Sequence, residues 1–219
     1  LINSIGMLKK YDSAMAEEIR HAEEKADHYE DILGTYLVKL SGYQMSDSDS
    51  SEVSKLLKAI GDFERISDHS INILESAEEL QSKEIQFTAG AKKELEILSE
   101  AVLEILTMSS TAFINDDCKL AREVEPLEQV IDQLKKKLRD GHIARLKNGE
   151  CSIEVGFVWA DLLTNLERTA DHCSNVAVCL IDANANNMNV HESLKSMKQG
   201  NAFFDEKYAM YAEKYLILD

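Results

Sequence analysis

The sequence predicts an all-α protein, and two features lead to that prediction. The 219 residues include only 9 glycines and 1 proline, less than half of the roughly 12% that these residues make up in an average globular chain. Sheets joined by tight turns need such residues, so an all-β sandwich or barrel is excluded and a β/α alternation is disfavoured. The second feature is a series of long stretches in which apolar residues recur every three or four positions, the spacing of one helical face.

The first helices are predicted from caps and stops. Apolar residues at helical spacing within 2–8 place the start of the chain inside a helix. Asp12 can cap a second helix that runs to about residue 41, where Gly42 stops it. The polar linker 46–51 follows, and a capping box that starts at Asp49 opens a third helix reaching about residue 81.

Three further long helices and a tail complete the chain. Thr88 can open a helix over 88–115, two aspartates cap a helix over 117–147, and a serine starts a helix over 152–182. Beyond the asparagine-rich stretch 184–187, a tail with five aromatic residues is expected to form one or two short helices that pack on the body.

The chain contains an internal repeat. Residues 62–72 match residues 165–175, with Glu, Arg, Asp, His and Asn recurring in the same order at a displacement of 103 positions. A second match aligns residues 22–27 with 127–132 at a displacement of 105. Two matched segments in the same order predict a duplicated unit, so the expected fold is two tandem three-helix bundles.

The repeat divides the chain into three predicted parts. Residues 1–84 form the first unit, residues 85–183 the second, and residues 184–219 a C-terminal helical tail. The residues equivalent to 88–105 would precede Leu1, so the first helix of unit one is expected to be truncated, as in a chain cut from something longer.

Composition narrows the classes of partner. The formal net charge of −16 repels phosphate backbones and anionic lipid, which argues against a nucleic-acid or lipid-surface partner. The four cysteines show no CxxC spacing, which is typical of reduced thiols in the cytoplasm. No apolar run approaches the roughly 20 residues of a membrane span and no signal peptide is present, so a soluble chain without direct membrane insertion is expected.

The repeated segments place carboxylates four residues apart on one helical face in each unit. Like charges at this spacing repel by roughly 0.2–0.5 kcal/mol per pair, so their repetition indicates that a bound cation offsets the cost. Carboxylate oxygens suit magnesium, manganese, calcium or iron, and two facing helices could supply four of them to one site. The predicted metal ligands are Glu23, Asp27, Glu64 and Asp68 in unit one and Glu128, Asp132, Glu167 and Asp171 in unit two.

Other interpretations of these faces stay open. They could be solvated acidic surfaces, and Arg65 could neutralise Asp68 at i,i+3, as Arg168 could neutralise Asp171. Two asparagines extend the same faces and could ligate or orient, whereas two histidines lie about 100° round the helix and are weaker ligand candidates. The asparagines are Asn72 and Asn175, and the histidines are His69 and His172.

Two residues depart from an ideal repeat. Asn165 stands in unit two where unit one has Asp62, which favours a weaker second site. Pro126 lies inside a predicted helix, two residues before Glu128, where it removes a backbone hydrogen bond and predicts a kink.

These motifs carry a resemblance to a known family. The segment 62–69 and its twin 166–172 resemble the duplicated signature of PhoU proteins, which are regulators of bacterial phosphate uptake built from two three-helix bundles. The resemblance covers about residues 1–183. It implies that the eight carboxylates bind multinuclear metal clusters at the surface of each bundle, with iron favoured and manganese, zinc or magnesium also suitable.

The short front helix and the tail are more narrowly similar to one group of proteins. The tail over 191–215 resembles the ending of bacterial sodium/phosphate cotransporter family proteins, in which a PhoU-like C-terminal domain follows a membrane symporter. This resemblance implies a cytoplasmic regulatory domain of an inner-membrane protein that controls phosphate uptake through its own N-terminal transporter domain. A signalling kinase, a transporter subunit and a second copy in a homodimer are further expected partners.

Two rival functions come from other classes. A carboxylate-bridged di-iron enzyme needs paired Glu-x-x-His motifs, and only Glu18 and His21 fit. A purely structural interaction bundle would need no metal. Nucleophilic triads, glycine-rich phosphate loops and zinc cysteine clusters have no candidates, so the chain is expected not to be an enzyme.

Overall fold

In the computed structural model, which describes residues 1–184 and 202–217, every regular element of the described chain is an α-helix. The predicted all-α class is therefore confirmed. The helices are α1 (Ile2–Met7), α2 (Ser13–Ser41), α3 (Asp47–Ser82), α4 (Ala89–Ile114), α5 (Cys118–Ala121), α6 (Val124–Lys147), α7 (Ile153–Asn184) and α8 (Ala202–Lys214).

Most of the helix starts lie where the caps predict them. The Asp12 carboxylate accepts hydrogen bonds from the first backbone N–H groups of α2, and Thr88 does the same for α4. The start of α3 differs from the prediction, because Ser46 Oγ accepts the N–H of Asp49 at 3.1 Å and the helix begins at residue 47. Ser46 lies three residues before Asp49, and a serine at this position can accept a hydrogen bond from the unpaired backbone N–H groups of the first helical turn as well as an aspartate can.

The predicted continuous helix over 117–147 is wrong, because it consists of two helices. A turn at Arg122 and Glu123 separates α5 from α6. Pro126 accounts for the distortion at this point: it has no N–H, and its ring crowds the carbonyl of the residue four positions earlier, so a helix that reaches it is kinked or broken. Pro126 lies in the first turn of α6. Backbone N–H groups in a first turn have no acceptor within the helix, so the proline loses no hydrogen bond there.

The two units meet along α3 and α7, which run antiparallel and share the largest interface between helices in the described chain. Helices α1–α3 make up unit one, and α4–α7 make up unit two. The main core is centred in unit two, where α4, α6 and α7 enclose Trp159 and Leu162, and it extends to Ile66 and Ile73 of α3. Unit one has a smaller separate cluster around Met7 and Leu74.

Helix α8 of the tail packs against α6 and α4. Tyr211 and Tyr215 are buried there, and Lys214 Nζ lies 2.7 Å from Glu104 Oε1. Tyr215 also donates a hydrogen bond to Glu104. The remainder of the predicted tail, residues 185–201 and 218–219, lies outside the described residues.

Helix α4 corrects one expectation from the sequence. Its length and composition are sufficient for a membrane span, with a mean hydropathy of 1.5 over 18 residues, although no apolar run was expected to approach that limit. In the structure the apolar face of α4 packs against α6 and α7. The helix therefore serves as the core helix of unit two.

His142 makes stability depend on pH. It is 6% exposed and stacks on Trp159, and burial together with the Arg145 guanidinium holds its pKa below the ordinary 6.5. The unfolded chain therefore binds a proton that the folded chain rejects, so the free energy of unfolding is expected to fall as pH drops below about 6.5. Urea titrations at several pH values test this: His142→Gln should flatten the dependence, and the same change at the exposed His28 should leave it unchanged.

Candidate metal site and the junction between the units

In unit one the predicted ligands lie on facing surfaces of α2 and α3. Burial raises the pKa of Glu23, and the carboxylates of Asp68 and Asp27 raise it further. Burial also raises the pKa of Glu64, with Asp68 again adding to the effect. Glu23 of α2 and Asp68 of α3 therefore face each other across the two helices, with Glu64 beside them and Asp27 more exposed.

Arg65 is the only cation ion-paired with this group in the described chain. Its guanidinium lies 3.8 Å from Asp68 Oδ2 and 3.6 Å from Glu64 Oε2, and its side chain is 62% exposed. Exposed ion pairs of this kind contribute about 0–1 kcal/mol. The neutralising arginine expected from the i,i+3 spacing is thus present in unit one, but it leaves repulsion among the carboxylates.

Unit two has a carboxylate pair on α6 and α7 that corresponds to Glu23 and Asp68 of unit one. Asp171 has a raised pKa because of desolvation and the nearby Glu167, and a hydrogen bond with Glu128 acts in the opposite direction. Glu128 is only 8% exposed, and Gln129 Nε2 donates a hydrogen bond to its Oε2 at 2.8 Å. Since Glu128 and Asp171 occupy the positions of Glu23 and Asp68 in the repeat, each unit has the same facing pair.

Lysines distinguish unit two from unit one. Lys135 Nζ lies 2.6 Å from Glu167 Oε2, and Lys136 Nζ lies 2.6 Å from Asp132 Oδ2. Two of the four predicted ligands are thus already ion-paired. Within residues 1–184 and 202–217, no cluster of three or more His, Cys, Asp or Glu side chains is arranged to hold a metal ion. Metal binding by the eight carboxylates stays a prediction.

The other residues of the repeated motif form a polar junction between the two units. The carboxylate oxygen Oδ1 of Asp62 on α3 accepts hydrogen bonds from two residues of α7, His172 Nδ1 at 2.9 Å and Asn175 Nδ2 at 3.1 Å. Asp62 and His172 are both largely buried. One acceptor thus satisfies two donors across the α3–α7 interface.

The second half of the junction repeats this arrangement in the opposite direction. The Asn165 side-chain oxygen on α7 accepts from His69 Nδ1 at 2.9 Å and from Asn72 Nδ2 at 3.0 Å on α3. The rings of His69 and His172 stack with centroids 5.6 Å apart, and burial lowers the pKa of His69. The internal repeat therefore produces a local twofold pseudosymmetry.

The sequence predicted a different role for the asparagines of this junction. Asn72 and Asn175 were expected to ligate or orient a cation, and the structure places both in hydrogen bonds between the units. The signal for the junction was the recurrence of histidine and asparagine in both copies of the repeat. In each half of the junction a histidine and an asparagine donate to one side-chain oxygen, which is why Asp62 and its counterpart Asn165 both carry an oxygen acceptor.

The single Glu-x-x-His motif does not lie in the bundle core. Glu18 and His21 are both exposed on α2, and the His21 ring lies 3.5 Å from Glu24 at the surface. A di-iron enzyme places such ligands inside the bundle. The feature on which the enzyme alternative depended is thus a surface feature.

Comparisons with known proteins agree with the duplicated motif. The family model described as the PhoU domain matches residues 1–77 and 95–180. The "Phosphate-specific transport system accessory protein PhoU homolog 1" of Thermotoga maritima is 31% identical over 145 residues, which are 66% of this chain and 61% of that protein. The chain thus spans less than two thirds of that relative. A PhoU homolog of Pseudomonas putida is 25% identical over 94% of this chain and 82% of its own length.

Two solved structures share the fold. PhoU from Pseudomonas aeruginosa superposes with a TM-score of 0.77 at 22% identity, covering 84% of this chain and 88% of that one. The phosphate transport system regulatory protein PhoU from Streptococcus pneumoniae gives a TM-score of 0.75 at 21% identity over 85% and 87% of the two chains. Because the family model covers most of the chain in two segments that follow the internal repeat, this chain belongs to the PhoU domain family.

Proposed function

We propose that this chain is a metal-binding regulatory domain that controls phosphate uptake by acting on a sodium-dependent phosphate transporter. The observation that carries the proposal is the facing carboxylate pair that occurs once in each unit, Glu23 with Asp68 and Glu128 with Asp171. The relatives are named as accessory proteins of phosphate-specific transport systems, which supports a regulatory role in phosphate transport and not a catalytic one.

The proposed site of action is the cytoplasmic side of a bacterial inner membrane. A transporter domain on the same polypeptide is one proposed partner, although the relatives named above are PhoU accessory proteins and not fused cotransporters. The names of the relatives support action on a separate transporter subunit. A signalling kinase and a second copy of the chain are the other proposed partners.

The carboxylates have the chemistry that a hard cation requires. Glu23, Glu64 and Asp171 each have a raised pKa because burial and neighbouring carboxylates disfavour their charged forms. A bound iron, manganese, zinc or magnesium ion would supply the positive charge that relieves this repulsion. The eight candidate ligands of the two units would hold it, and Lys135 and Lys136 would have to give up their ion pairs in unit two.

Metal analysis of the purified chain tests this proposal. Protein prepared without chelator is expected to contain at least one equivalent of iron, manganese or zinc, and the double variant Asp68→Ala/Asp171→Ala should lose it. The control is Asp31→Ala/Asp140→Ala, which removes two exposed carboxylates outside both groups and should keep the metal. Absence of metal from the unaltered protein, even after anaerobic reconstitution with ferrous ion, would refute the proposed site.

A metal-free interaction bundle is the second candidate function. The ion pairs of Lys135 with Glu167 and of Lys136 with Asp132 favour it, because they neutralise carboxylates of unit two without a cation. Single variants separate the two candidates by unit. If Asp68→Ala removes bound metal and Asp171→Ala does not, unit one is the metal-binding unit and unit two is held by its lysines.

A further inference from the structure

The end of unit two where α6 and α7 are joined presents three apolar side chains to solvent. Ile153 is 72% exposed, Phe157 is 67% exposed and Ile143 is 42% exposed. Ile153 and Phe157 lie one helical turn apart on α7, and Ile143 lies in the last part of α6. These three side chains are here called the α6–α7 patch.

The contact between α6 and α7 shows that the patch is one continuous surface. A Cβ atom on Gly156 of α7 would lie 3.0 Å from the His142 ring and 3.7 Å from Leu146 of α6, so these residues face each other at the same level. Phe157 follows Gly156 and Ile143 follows His142, which turns both side chains by about 100° from that contact. Because the two helices run antiparallel, both turns lead to the same side of the pair.

The patch faces away from α4 and the core of unit two. Arg145 and Trp159 each lie three residues beyond the contact between the helices and turn the opposite way. Arg145 pairs with Glu94 of α4, and Trp159 contacts Phe87 directly before α4. The patch is therefore on the outer face of unit two, and none of the described helices covers it.

The internal repeat shows that the fold does not require apolar residues at these positions of α7. At the displacement of 103, Ile153 corresponds to Ser50 and Phe157 to Ser54 of α3. Serine is an ordinary residue for a solvated helix face, whereas a cluster of exposed large apolar side chains marks a contact surface. Phe157 is thus not needed to complete a bundle, and a contact between molecules explains it.

Charged residues border the patch with opposite signs on the two helices. On α6, three exposed basic residues and one acidic residue surround Ile143, namely Lys136, Arg139, Lys147 and Asp140. On α7, the exposed Glu154 and Asp161 flank Phe157. Lys83 of α3 comes near Glu154, but it is ion-paired with Glu79 at 2.7 Å. The patch therefore has a basic border on α6 and an acidic border on α7.

A surface with these two borders is complementary to a second copy of itself. In a twofold-symmetric contact, the same surface of both copies is used. A twofold axis that runs parallel to the helices places α6 of one copy over α7 of the other. Each basic border then meets an acidic border, which favours this arrangement over one that stacks α6 on α6.

The levels of the apolar side chains along the helices fit this arrangement. At a rise of about 1.5 Å per residue, Ile143 lies about 1.5 Å from the level of His142 and Gly156, on the side of the connecting loop. Ile153 lies about 4.5 Å towards the loop, and Phe157 lies about 1.5 Å in the other direction. Since the axis preserves these levels, Ile143 of one copy inserts between Ile153 and Phe157 of the other.

The charged residues are also close in level. Lys147 lies about 7.5 Å towards the loop and Glu154 about 3 Å towards it, so the two are offset by about one turn. In the other direction, Arg139 lies about 4.5 Å and Asp161 about 7.5 Å from the same origin. Long basic side chains span offsets of this size, so each copy can form ion pairs at both ends of the patch.

We propose that the α6–α7 patch is the contact surface of a homodimer, in which α6 of each copy packs over α7 of the other around a twofold axis parallel to both helices. The proposal gives a surface to the second copy that the proposed function counts among its partners, and it rests on that part of the proposed function alone. Phe157 lies ten residues, about 15 Å along α7, from the candidate ligand Glu167. The dimer contact is therefore separate from the candidate metal ligands.

Sedimentation velocity of the full chain over a range of concentrations, in buffer with a chelator, tests the apolar part of the contact. The unaltered chain is expected to form dimers. Ile153→Ser and Phe157→Ser, which copy the residues of α3 at the equivalent positions, should each weaken self-association at least tenfold. The control is Ile114→Ser at the end of α4, where the residue is 79% exposed outside the patch, and it should leave self-association unchanged.

Charge reversal tests the proposed pairing of α6 with α7. The variant Arg139→Glu/Lys147→Glu has two acidic borders, and the variant Glu154→Lys/Asp161→Lys has two basic borders. Each variant alone is expected to be monomeric at low salt, whereas an equal mixture of the two should form a one-to-one heterodimer. All four side chains are exposed, and circular dichroism melts check that the variants remain folded.

Four outcomes would overturn the proposal. The unaltered chain could be monomeric at every concentration, or Phe157→Ser and Ile114→Ser could weaken self-association equally. The mixed charge variants could associate no more strongly than either variant alone. Self-association could also require added metal, which would move the contact to the carboxylates. A monomeric chain that binds metal would refute only the dimer, and a dimer without metal would refute only the metal site.

Discussion

Replacing Trp159 with alanine is expected to lower the free energy of unfolding by about 3–5 kcal/mol. The side chain is 1% exposed and has the largest volume among the fully buried residues of the described chain. It meets Phe87 edge-on with ring centroids 5.1 Å apart, stacks on His142, and lies 5.5 Å beneath the Arg145 guanidinium. Alanine would remove all three contacts and leave a cavity between α4, α6 and α7.

Leu56 provides the matched control for Trp159. It occupies the equivalent position of the repeat in unit one but lines a surface depression between α2 and α3, where part of its surface is already in contact with solvent. Leu56→Ala is therefore expected to cost only about 1–2 kcal/mol. Guanidinium titrations of both variants measure the difference. Equal losses at the two positions would mean that unit one is as tightly packed at this surface as unit two.

The fold could be predicted to this extent because helix signals are local. Asp12 and Thr88 cap α2 and α4 at the predicted positions. A side-chain acceptor directly before a stretch of apolar residues at helical spacing is a reliable signal for a helix start. The break before α6 shows the limit of such signals. Pro126 predicted a distortion, but whether a chain kinks or ends one helix and starts another depends on how the following segment packs.

The candidate site was only partly predictable for a related reason. Spacing alone places Glu23 and Glu128 on carboxylate faces in both units, and the structure brings each close to an aspartate of the next long helix. Spacing does not indicate that Lys135 reaches Glu167, since the two residues lie on different helices. Contacts between helices depend on the crossing of their axes, which no periodicity within a single helix encodes.

The junction between the units is the second place where one substitution is expected to have a large effect. Asp62→Ala removes the acceptor shared by His172 and Asn175 and leaves the largely buried His172 donor without a partner, whereas the exposed Asn175 can bond to water. We expect a loss of about 1–3 kcal/mol in the free energy of unfolding, which is the cost of one unsatisfied buried polar group. Chemical denaturation measures the loss, and the same change at the exposed Asp31 should cost less than about 0.5 kcal/mol.

Asp62→Asn separates the role of the acceptor from that of the charge. It reproduces on α3 the residue that already serves at position 165 on α7, where an amide oxygen accepts from His69 and Asn72. This variant should therefore retain most of the stability that Asp62→Ala loses. A double-mutant cycle of Asp62→Ala with His172→Ala should show a coupling of about 1–3 kcal/mol. Additive effects would mean that the two units are held together by apolar packing of α3 and α7 and not by the paired motifs.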